Sequence, residues 1–348
     1  MTQMPAESRI LKQFKPVKKE LAQVQRFIDK QLAVSPKANA AGGLIGLLKD
    51  DSGKMIRPAL LLLSGRYCGK ITAEHIKAAA IVEMLHNATL LHDDVIDDGR
   101  IRRGRPTVNR LCGNATAILL GDFLLSRIFI LCNTIEPEIS EIIAAATSRL
   151  CMGEITQTAQ RRNWNLTERE YLRIITDKTA HLFSSCCLIG AILAGADKNA
   201  RRRFADFGLN FGIAFQIADD LADLVDSENK TGKTTGSDLD RCNPTLALIH
   251  HLGTLNHKQR NELVKRLYPP PVSRKGCPTA RDGLRHSADL RRIQKQVLRK
   301  LLDSSGSIEY TQSRVNFYID KAIQSLGNLN QTPTSDVLIQ TARFLDTD

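Results

Sequence analysis

The chain is poor in aromatic residues, which make up 5 % of its 348 positions and include a single tryptophan. No zinc-finger or RNA-recognition signature accompanies its basic residues, so nucleic acid is weakly supported as a partner. The formal net charge is nevertheless +12, which suits an anionic partner such as a membrane surface or a phosphorylated substrate.

Other absences bear on the compartment. The eight cysteines form no Cys-x-x-Cys pair, and most lie in apolar helical contexts, which argues against a disulfide framework or a zinc site. Residues 1–15 contain no apolar run that could act as a signal peptide. The least polar stretch, 182–196, is too short to span a bilayer. We therefore expect a cytoplasmic protein.

Proline is absent from 59–105 and from 138–243, and both intervals carry apolar residues at helical spacing with little β-type alternation. We predict an all-α fold in a single domain over 1–348, with an N-terminal helical region at 1–35 and a Pro-rich surface loop at 268–282. Helices are predicted at 10–33, 58–68, 72–97, 111–133, 138–160, 167–195, 199–226, 244–251, 257–267, 283–303, 307–326 and 333–345.

An acidic cluster follows an apolar stretch in HNATLLHDDVIDDGRIRRGRPTVN at 86–109. On a helix, positions 86, 90, 93, 94 and 97 share one face, which places His86 and Leu90 beside three carboxylates. Those carboxylates are Asp93, Asp94 and Asp97. Acids disfavour the negative end of a helix dipole, so a plain surface turn is a poor explanation. Clustered carboxylates without a base between them indicate a metal site, and hard oxygen ligands suit magnesium.

A second acidic face lies in FQIADDLAD at 215–223, where Gln216, Asp219, Asp220 and Asp223 stand at i, i+3, i+4 and i+7. Together, the two faces predict two helices that present carboxylates to shared metal ions. A turn at 50–58, DDSGKMIRP, places Lys54 and Arg57 before an apolar helix, which is typical of an anion site.

In their order along the chain, these motifs resemble the trans-isoprenyl diphosphate synthases, or polyprenyl synthetases, from about residue 50 to 250. The matching segments are GKMIRP at 53–58, HNATLLHDDVID at 86–97, RRGRPTVN at 102–109, GD at 121–122, GEITQ at 153–157, DKTAHLF at 177–183, FQIADDLAD at 215–223 and GKTTGSDL at 232–239.

The resemblance implies an all-α barrel of helices around a central cavity, assembled as a homodimer. It implies a transferase that condenses isopentenyl diphosphate head to tail with an allylic diphosphate by ionisation, condensation and elimination. Magnesium would assist, at about three ions per active site. No nucleic acid is expected, and a transient membrane-surface contact for product release is left open.

The resemblance also implies roles for individual residues. The metal ligands would be Asp93, Asp94, Asp97, Asp219, Asp220 and Asp223. The allylic diphosphate would be bound by Arg102, Lys178 and Lys233. Isopentenyl diphosphate would be bound by Gly53, Lys54, Arg57, His86 and Arg103. The reacting centre would be lined by the catalytic residues Lys178, Thr179 and Gln216.

The sequence departs from the family pattern at two places. Ser52 stands where the family usually has the first glycine of Gly-Gly-Lys. Cys242 and Asn243 stand where many members have Gly-Lys, although Arg241 lies close by. These departures concern the details of diphosphate binding.

The expected product is a long polyprenyl chain. Residues at successive turns before Asp93 would line successive depths of a tunnel, namely Ala88 and Thr89 and then Leu85. In short-chain members an aromatic ring closes the tunnel at the position of Ala88 or Thr89.

Three alternatives stay open. The first is a shorter-chain geranylgeranyl or farnesyl diphosphate synthase, with a tunnel floor from another helix, for example around Phe129. A terpene cyclase is less favoured because it has little use for the site at Lys54, Arg57 and His86. A non-catalytic subunit of a heteromeric synthase is expected to lose acids, and both motifs are intact.

Overall fold

A computed structural model describes residues 14–33, 39–48, 53–225, 237–267, 295–327 and 332–346. Its helices are α1 Lys18–Gln31, α2 Asn39–Gly46, α3 Ile56–Cys68, α4 Ala73–Ile96, α5 Val108–Cys112, α6 Asn114–Cys132, α7 Pro137–Ala159, α8 Glu168–Ile175, α9 His181–Leu193, α10 Lys198–Val225, α11 Ser237–Asp240, α12 Leu246–Thr254, α13 His257–Leu267, α14 Ser307–Leu326 and α15 Pro333–Arg343. A π-helical segment, Thr176–Ala180, joins α8 to α9, 3₁₀ turns lie at Lys15–Val17 and Phe344–Asp346, and residues 295–304 are also helical. The predicted all-α class is confirmed.

The structure describes one small hairpin, formed by β1 (Ile101–Arg102) and β2 (Arg105–Pro106), where no strand was predicted. Its turn residues Arg103 and Gly104 have φ angles of 52° and 72°. Positive φ at both central residues is the mark of the two-residue turn whose twist matches paired strands. The hairpin folds the basic run that follows the first acidic motif back toward that motif.

Several helix boundaries differ from the predictions. The helix predicted at 111–133 is divided at Gly113, which lies between the end of α5 and the start of α6. Gly113 has a φ of 83°, a conformation that favours glycine and is incompatible with a continuous helix. The short helix α2 was missed because its sequence, NAAGGLIG, contains two adjacent glycines of low helix propensity. In the described part of the helix predicted at 10–33, a 3₁₀ turn that contains Pro16 precedes the α-helix, which begins at Lys18.

Some predictions lie outside the described residues. They include Lys233, Ser52, the Pro-rich loop at 268–282, residues 10–13 of the helix predicted at 10–33 and residues 283–294 of the helix predicted at 283–303.

The core is built around α3, α4, α9 and α10. Leucines 60–63 on α3 are all fully buried, as are residues 78–82 on α4, so both helices lie inside the protein rather than on its surface. Helix α9 packs against α3 and α10, and α10 also packs against α14. Phe183 of α9 meets Phe211 of α10 edge to face, with ring centroids 5.2 Å apart. The acidic ends of α4 and α10 are thereby fixed to a rigid core.

The π-helical segment corrects the prediction of one continuous helix over 167–195. Its i→i+5 hydrogen bonding inserts one extra residue into the turn, which is common at functional sites, and both Lys178 and Thr179 belong to it. Gly153 of α7 packs directly against this segment. A Cβ atom at residue 153 would lie 2.7 Å from Lys178 Cα and closer still to the Lys178 backbone nitrogen.

We therefore expect Gly153→Ala to lower the free energy of unfolding by roughly 1–3 kcal/mol, because α7 and the π-helical segment must separate to admit the methyl group. Gly253→Ala in α12 is the matched control, since a Cβ there meets nothing within 4 Å. That change should be neutral or stabilising by up to about 1 kcal/mol. Urea unfolding of both variants measures the difference, and equal stabilities would contradict the close contact.

Candidate active site

The first acidic motif lies at the carboxyl end of α4. Asp94 turns into the protein and is buried. Its carboxylate accepts hydrogen bonds from Arg102 of the hairpin, from Nη2 to Oδ1 at 2.8 Å and from Nε to Oδ2 at 3.0 Å. Asn109 Nδ2 also donates to the Asp94 carbonyl at 3.0 Å. Arg102 and Asp94, predicted to bind the diphosphate and the metal, are thus bonded to each other.

Asp93 faces the segments that carry Lys178 and Glu154. Burial raises the pKa of its carboxyl to about 7, although Lys178 opposes the shift. Lys178 Nζ lies 2.5 Å from Glu154 Oε2 and donates to Gln157 Oε1 at 2.7 Å. Burial opposes protonation of Lys178, but the carboxylates of Glu154 and Asp93 outweigh it and raise the pKa of the ammonium group. The site therefore holds a charged lysine among acids, shielded from water.

Asp97, which caps α4, lies between two arginines. Its Oδ1 is 3.0 Å from Arg161 Nη2 and its Oδ2 is 3.0 Å from Arg241 Nη1. Burial raises the pKa of the Asp97 carboxyl, with Arg241 and then Lys178 opposing the shift. Asn243, at the position of the missing lysine, is buried and donates to Asp238 Oδ1 at 3.2 Å. Arg241 is thus the residue of this turn that reaches the first motif.

The second acidic motif lies near the end of α10. Asp220 is buried and accepts hydrogen bonds of 2.7 Å from Tyr171 OH at Oδ2 and from Gln216 Nε2 at Oδ1. Thr179 Oγ1 donates in turn to Gln216 Oε1 at 2.7 Å. Burial and then Asp238 raise the pKa of Asp220 well above its usual range. Asp220 therefore anchors the predicted reacting-centre residues Thr179 and Gln216 to the protein.

The other two acids of this motif adjoin further charged groups. Asp223 Oδ2 accepts a hydrogen bond of 3.2 Å from the Asp238 backbone nitrogen. Asp219 lies near enough to Arg57 to raise the pKa of that guanidinium, which burial lowers more strongly. Burial and then Asp223 raise the pKa of Asp238 to about 6.

Lys178 joins the two motifs. Its charge acts on Asp93 and Asp97 of the first motif and on Asp238, which contacts the second. The Arg241 contact with Asp97 spans the same gap. The structure therefore brings together the two acidic motifs that the sequence separates by more than a hundred positions.

Of the residues predicted to bind isopentenyl diphosphate, Gly53 and Arg103 lie together. A Cβ at Gly53 would be 2.5 Å from Arg103 Nη2 and 3.2 Å from Glu83 Oε1, so a larger residue would displace the ends of these side chains. The Arg57 guanidinium lies over the Phe183 ring, 4.4 Å from its centroid. Lys54 is exposed and His86 half-buried.

The predicted tunnel residues lie on α4. Ala88 and Leu85 are 1 % exposed, and Thr89 is half-buried, with its hydroxyl bonded to the His86 carbonyl at 2.8 Å. Phe129, considered as an alternative tunnel floor, has a 67 % exposed side chain and does not close a space inside this chain.

Several site residues were missed from the sequence. Glu83 is a charged residue only 3 % exposed within the apolar run of α4, and that mismatch was the available signal. Glu154 and Gln157 belong to the GEITQ segment, but their contact with Lys178 was not anticipated. Tyr171 and Arg161 carry no distinguishing pattern, because their roles arise only when distant helices meet.

The acids fit a hard divalent cation in charge and chemistry. Their carboxylates are buried, and a cation would relieve the cost that raises the pKa of Asp93 and Asp97. Within the described ranges, no group of three or more His, Cys, Asp or Glu residues is close enough to enclose a metal ion. Magnesium usually takes only one or two protein carboxylates and completes its coordination with water and substrate phosphate, which suits such an open arrangement.

This all-α fold, with acidic motifs of two core helices meeting around a lysine, defines an isoprenoid synthase. The profile of the polyprenyl synthetase family matches residues 44–275. The octaprenyl diphosphate synthase of Escherichia coli K12 is 33 % identical over 296 residues, which cover 84 % of this chain and 85 % of that protein. The all-trans-nonaprenyl-diphosphate synthase of Rhodobacter capsulatus is 33 % identical over 333 residues, or 94 % and 95 % of the two chains.

Among solved structures, a polyprenyl synthase from Caulobacter crescentus CB15, complexed with calcium and isoprenyl diphosphate, matches with a TM-score of 0.83. It is 29 % identical, and the match covers 99 % of this chain and 98 % of that one. The chain belongs to the polyprenyl synthetase family and is a prenyltransferase. The predicted family, fold and enzyme class are confirmed.

The Asp93 pKa generates a prediction for the metal-free protein. A carboxyl that titrates near pH 3.8 when unfolded and near 7 when folded costs stability as pH rises from about 4 to 7. Asp93→Asn removes that cost, so the variant should exceed wild type in unfolding free energy at pH 8 by roughly 1–4 kcal/mol and match it near pH 4.

Urea unfolding with a chelator present, at both pH values, measures this difference. Asp98→Asn is the control, because Asp98 is exposed and its positive φ of 48° is tolerated by asparagine. A less stable Asp93→Asn protein at pH 8 would contradict the assigned burial cost.

Proposed function

We propose that this protein is a long-chain polyprenyl diphosphate synthase that uses magnesium. It condenses isopentenyl diphosphate head to tail with an allylic diphosphate. The observation that carries the proposal is the meeting of both intact acidic motifs around Lys178 in a chain of this family. The octaprenyl and nonaprenyl names of the two relatives support a long product.

The metal ions would be held chiefly by the outer acids of each motif, Asp93 and Asp97 on α4 and Asp219 and Asp223 on α10. Asp94 and Asp220 already accept hydrogen bonds from Arg102 and Tyr171 and would hold the two motifs in position. When bound, the ions neutralise the departing diphosphate and so favour ionisation of the allylic carbon–oxygen bond. The Caulobacter structure with calcium and isoprenyl diphosphate supports divalent-metal use.

The remaining work falls to the chain's own side chains. Lys178 keeps its positive charge among the acids and would face the diphosphate. Because Lys178 is buried, its attraction for the diphosphate is stronger than it would be in water. The Thr179–Gln216–Asp220 hydrogen bonds hold Gln216 at the reacting centre. Arg57, Arg103 and Lys54 form the second anion site, for isopentenyl diphosphate. The released diphosphate is the base that takes the final proton.

The test is a magnesium-dependent assay with both diphosphates and mass spectrometry of the product. Asp93→Ala and Asp219→Ala should each lower turnover by about a thousandfold or more, because each removes a carboxylate proposed to hold the metal ions that neutralise the leaving diphosphate. Asp98→Asn, a neighbouring acid outside the proposed site, is the matched control and should retain turnover. Near-normal turnover in folded Asp93→Ala or Asp219→Ala protein would exclude the proposed metal site.

Product length is proposed to depend on Ala88. The small side chain of Ala88 does not block the tunnel at the first turn before Asp93, and Leu85 lies about one turn further along the same helix. Ala88→Phe should therefore give the shortest product, and Leu85→Phe a product between that and wild type. Mass spectrometry of all three products decides the order. An unchanged length in active Ala88→Phe protein would show that this face of α4 does not set the tunnel depth.

An exposed apolar face supports a homodimer. It consists of residues on α6 and α7: Ile118, Leu119, Phe129, Ile130, Met152 and Ile155. Leu119 and Phe129 are 66 % and 67 % exposed, which is unusual for large apolar side chains unless another surface covers them. In the described part of the chain, α6 alone is long and apolar enough to cross a membrane, by length and composition. A second copy is the proposed occupant, because the family resemblance implies a homodimer. Helix α7, which carries part of this face, also reaches the active site, since Cys151 lies near enough to Asp93 for that carboxylate to raise the pKa of its thiol.

Light scattering should give a particle of twice the chain mass of 38.6 kDa for wild type. Leu119→Glu with Phe129→Glu should give a monomer, because buried carboxylates oppose association. Phe317→Glu is the control, since Phe317 is an exposed aromatic residue on α14. A monomeric wild type that binds lipid vesicles instead would assign the face to a membrane.

The seven cysteines in the described segments are all free thiols, which supports the cytoplasmic location.

A further inference from the structure

Asp97 is held by two arginines at once. Arg161 Nη2 and Arg241 Nη1 lie 3.0 Å from its two different carboxylate oxygens. The Asp97 side chain is 11 % exposed, whereas those of Arg161 and Arg241 are 27 % and 23 % exposed. Both guanidinium groups therefore remain within reach of a ligand while they neutralise the acid.

The two arginines come from turns that are tied to each other. Arg161 follows the end of α7, and Arg241 follows the end of α11. The backbone nitrogen of Arg162 donates to the Cys242 carbonyl at 2.9 Å. Arg162 and Cys242 both have left-handed φ angles, 62° and 58°, which non-glycine residues seldom adopt. The paired turns thus fix the two arginines on either side of Asp97.

The arginine geometry points to a second partner. Arg161 Nε is buried and finds no hydrogen-bond acceptor in the part of the chain that the structure describes. A guanidinium offers its donors as a planar fork that matches the oxygens of a phosphate. Arg161 therefore spends only part of its donor capacity on Asp97, in a site that on the proposed function receives a diphosphate.

We propose that Arg161 and Arg241 are diphosphate-binding residues that hold Asp97 in the ligand-free protein and exchange it for the allylic diphosphate when a divalent metal binds Asp97. The proposal rests on the proposed function, because it takes Asp97 as a metal ligand and the allylic diphosphate as the anion. It assigns to Arg241 the contact that the lysine absent at Asn243 would otherwise make, and it adds Arg161 as a contact with no counterpart among the predicted ones.

The exchange couples metal binding to substrate binding. A metal ion that arrives alone must displace two charge-assisted hydrogen bonds from Asp97, which weakens its binding. A metal ion that arrives with the diphosphate offers the arginines a new partner, so the displacement costs little. Such coupling is reciprocal, so the metal strengthens diphosphate binding by the same factor.

The experiment measures two affinities in full-length wild type, Arg161→Ala and Arg241→Ala. Electron paramagnetic resonance of free Mn²⁺ gives the affinity for metal alone. Calorimetry at saturating Mg²⁺ gives the affinity for an allylic thiodiphosphate, in which sulfur replaces the ester oxygen and turnover is blocked. Each variant should bind Mn²⁺ about tenfold more tightly and the thiodiphosphate about tenfold more weakly than wild type.

Arg162→Asn is the matched control, because it removes an exposed charge from the same turn and asparagine tolerates the left-handed backbone. Both of its affinities should stay within about twofold of wild type, since a solvated charge is screened. Arg161→Gln and Arg241→Gln, which keep a donor for Asp97 but not the charge, replace the alanine variants if those unfold.

The outcomes separate the two levels of the proposal. A wild-type protein that does not bind the thiodiphosphate with Mg²⁺ would overturn the proposed function itself. Normal wild-type binding with variants whose Mn²⁺ affinity is unchanged or weaker would overturn the exchange, and the arginines would then only hold the ends of α4, α7 and α11 together. Opposite shifts in the two affinities are the result expected from the exchange.

Discussion

The whole site depends on the cost of keeping several carboxylates away from water. Asp93, Asp97, Asp220 and Asp238 all have raised pKa values, and burial is the largest cause for each. Protein interiors tolerate such charges only when cations or hydrogen-bond donors compensate them. Lys178, Arg102, Arg161 and Arg241 supply the cations, and Tyr171 and Gln216 supply donors. The ligand-free protein is thus balanced internally, while its acids remain suited to a metal.

The contacts that compensate these carboxylates depend on two local features of the backbone, the π-helical segment and Gly153. Lys178 and Thr179 are neighbours in the π-helical segment, yet their side chains contact different partners. Lys178 pairs with Glu154, and Thr179 donates a hydrogen bond to Gln216. Gly153 lets α7 approach the backbone of this segment without an intervening side chain. A regular α-helix through residues 176–180 would turn the residues that follow by a different angle and lose one of these contacts.

The sequence predicted the parts of this structure that local patterns determine. Long proline-free runs with helical spacing gave the all-α class, and the acidic motifs identified the ends of α4 and α10. The sequence did not predict the partners of these acids. Helical spacing put Asp94 on the same face as Asp93, but gave no sign that Arg102 of the hairpin would pair with Asp94. Neither the π-helical segment nor the Arg161 contact has a local signature, because each depends on close approach by a distant part of the chain.

The two acidic motifs share a division of labour that their spacing alone does not reveal. In each, the second acid is buried and bonded inside the protein, Asp94 to Arg102 and Asp220 to Tyr171 and Gln216. A buried, hydrogen-bonded carboxylate holds its helix end in a fixed orientation, and the flanking acids inherit that orientation. Rigid placement matters most for ligands of magnesium, which demands near-ideal coordination geometry. On the proposed function, the inner acids would therefore contribute to the site by fixing the positions of the outer ones.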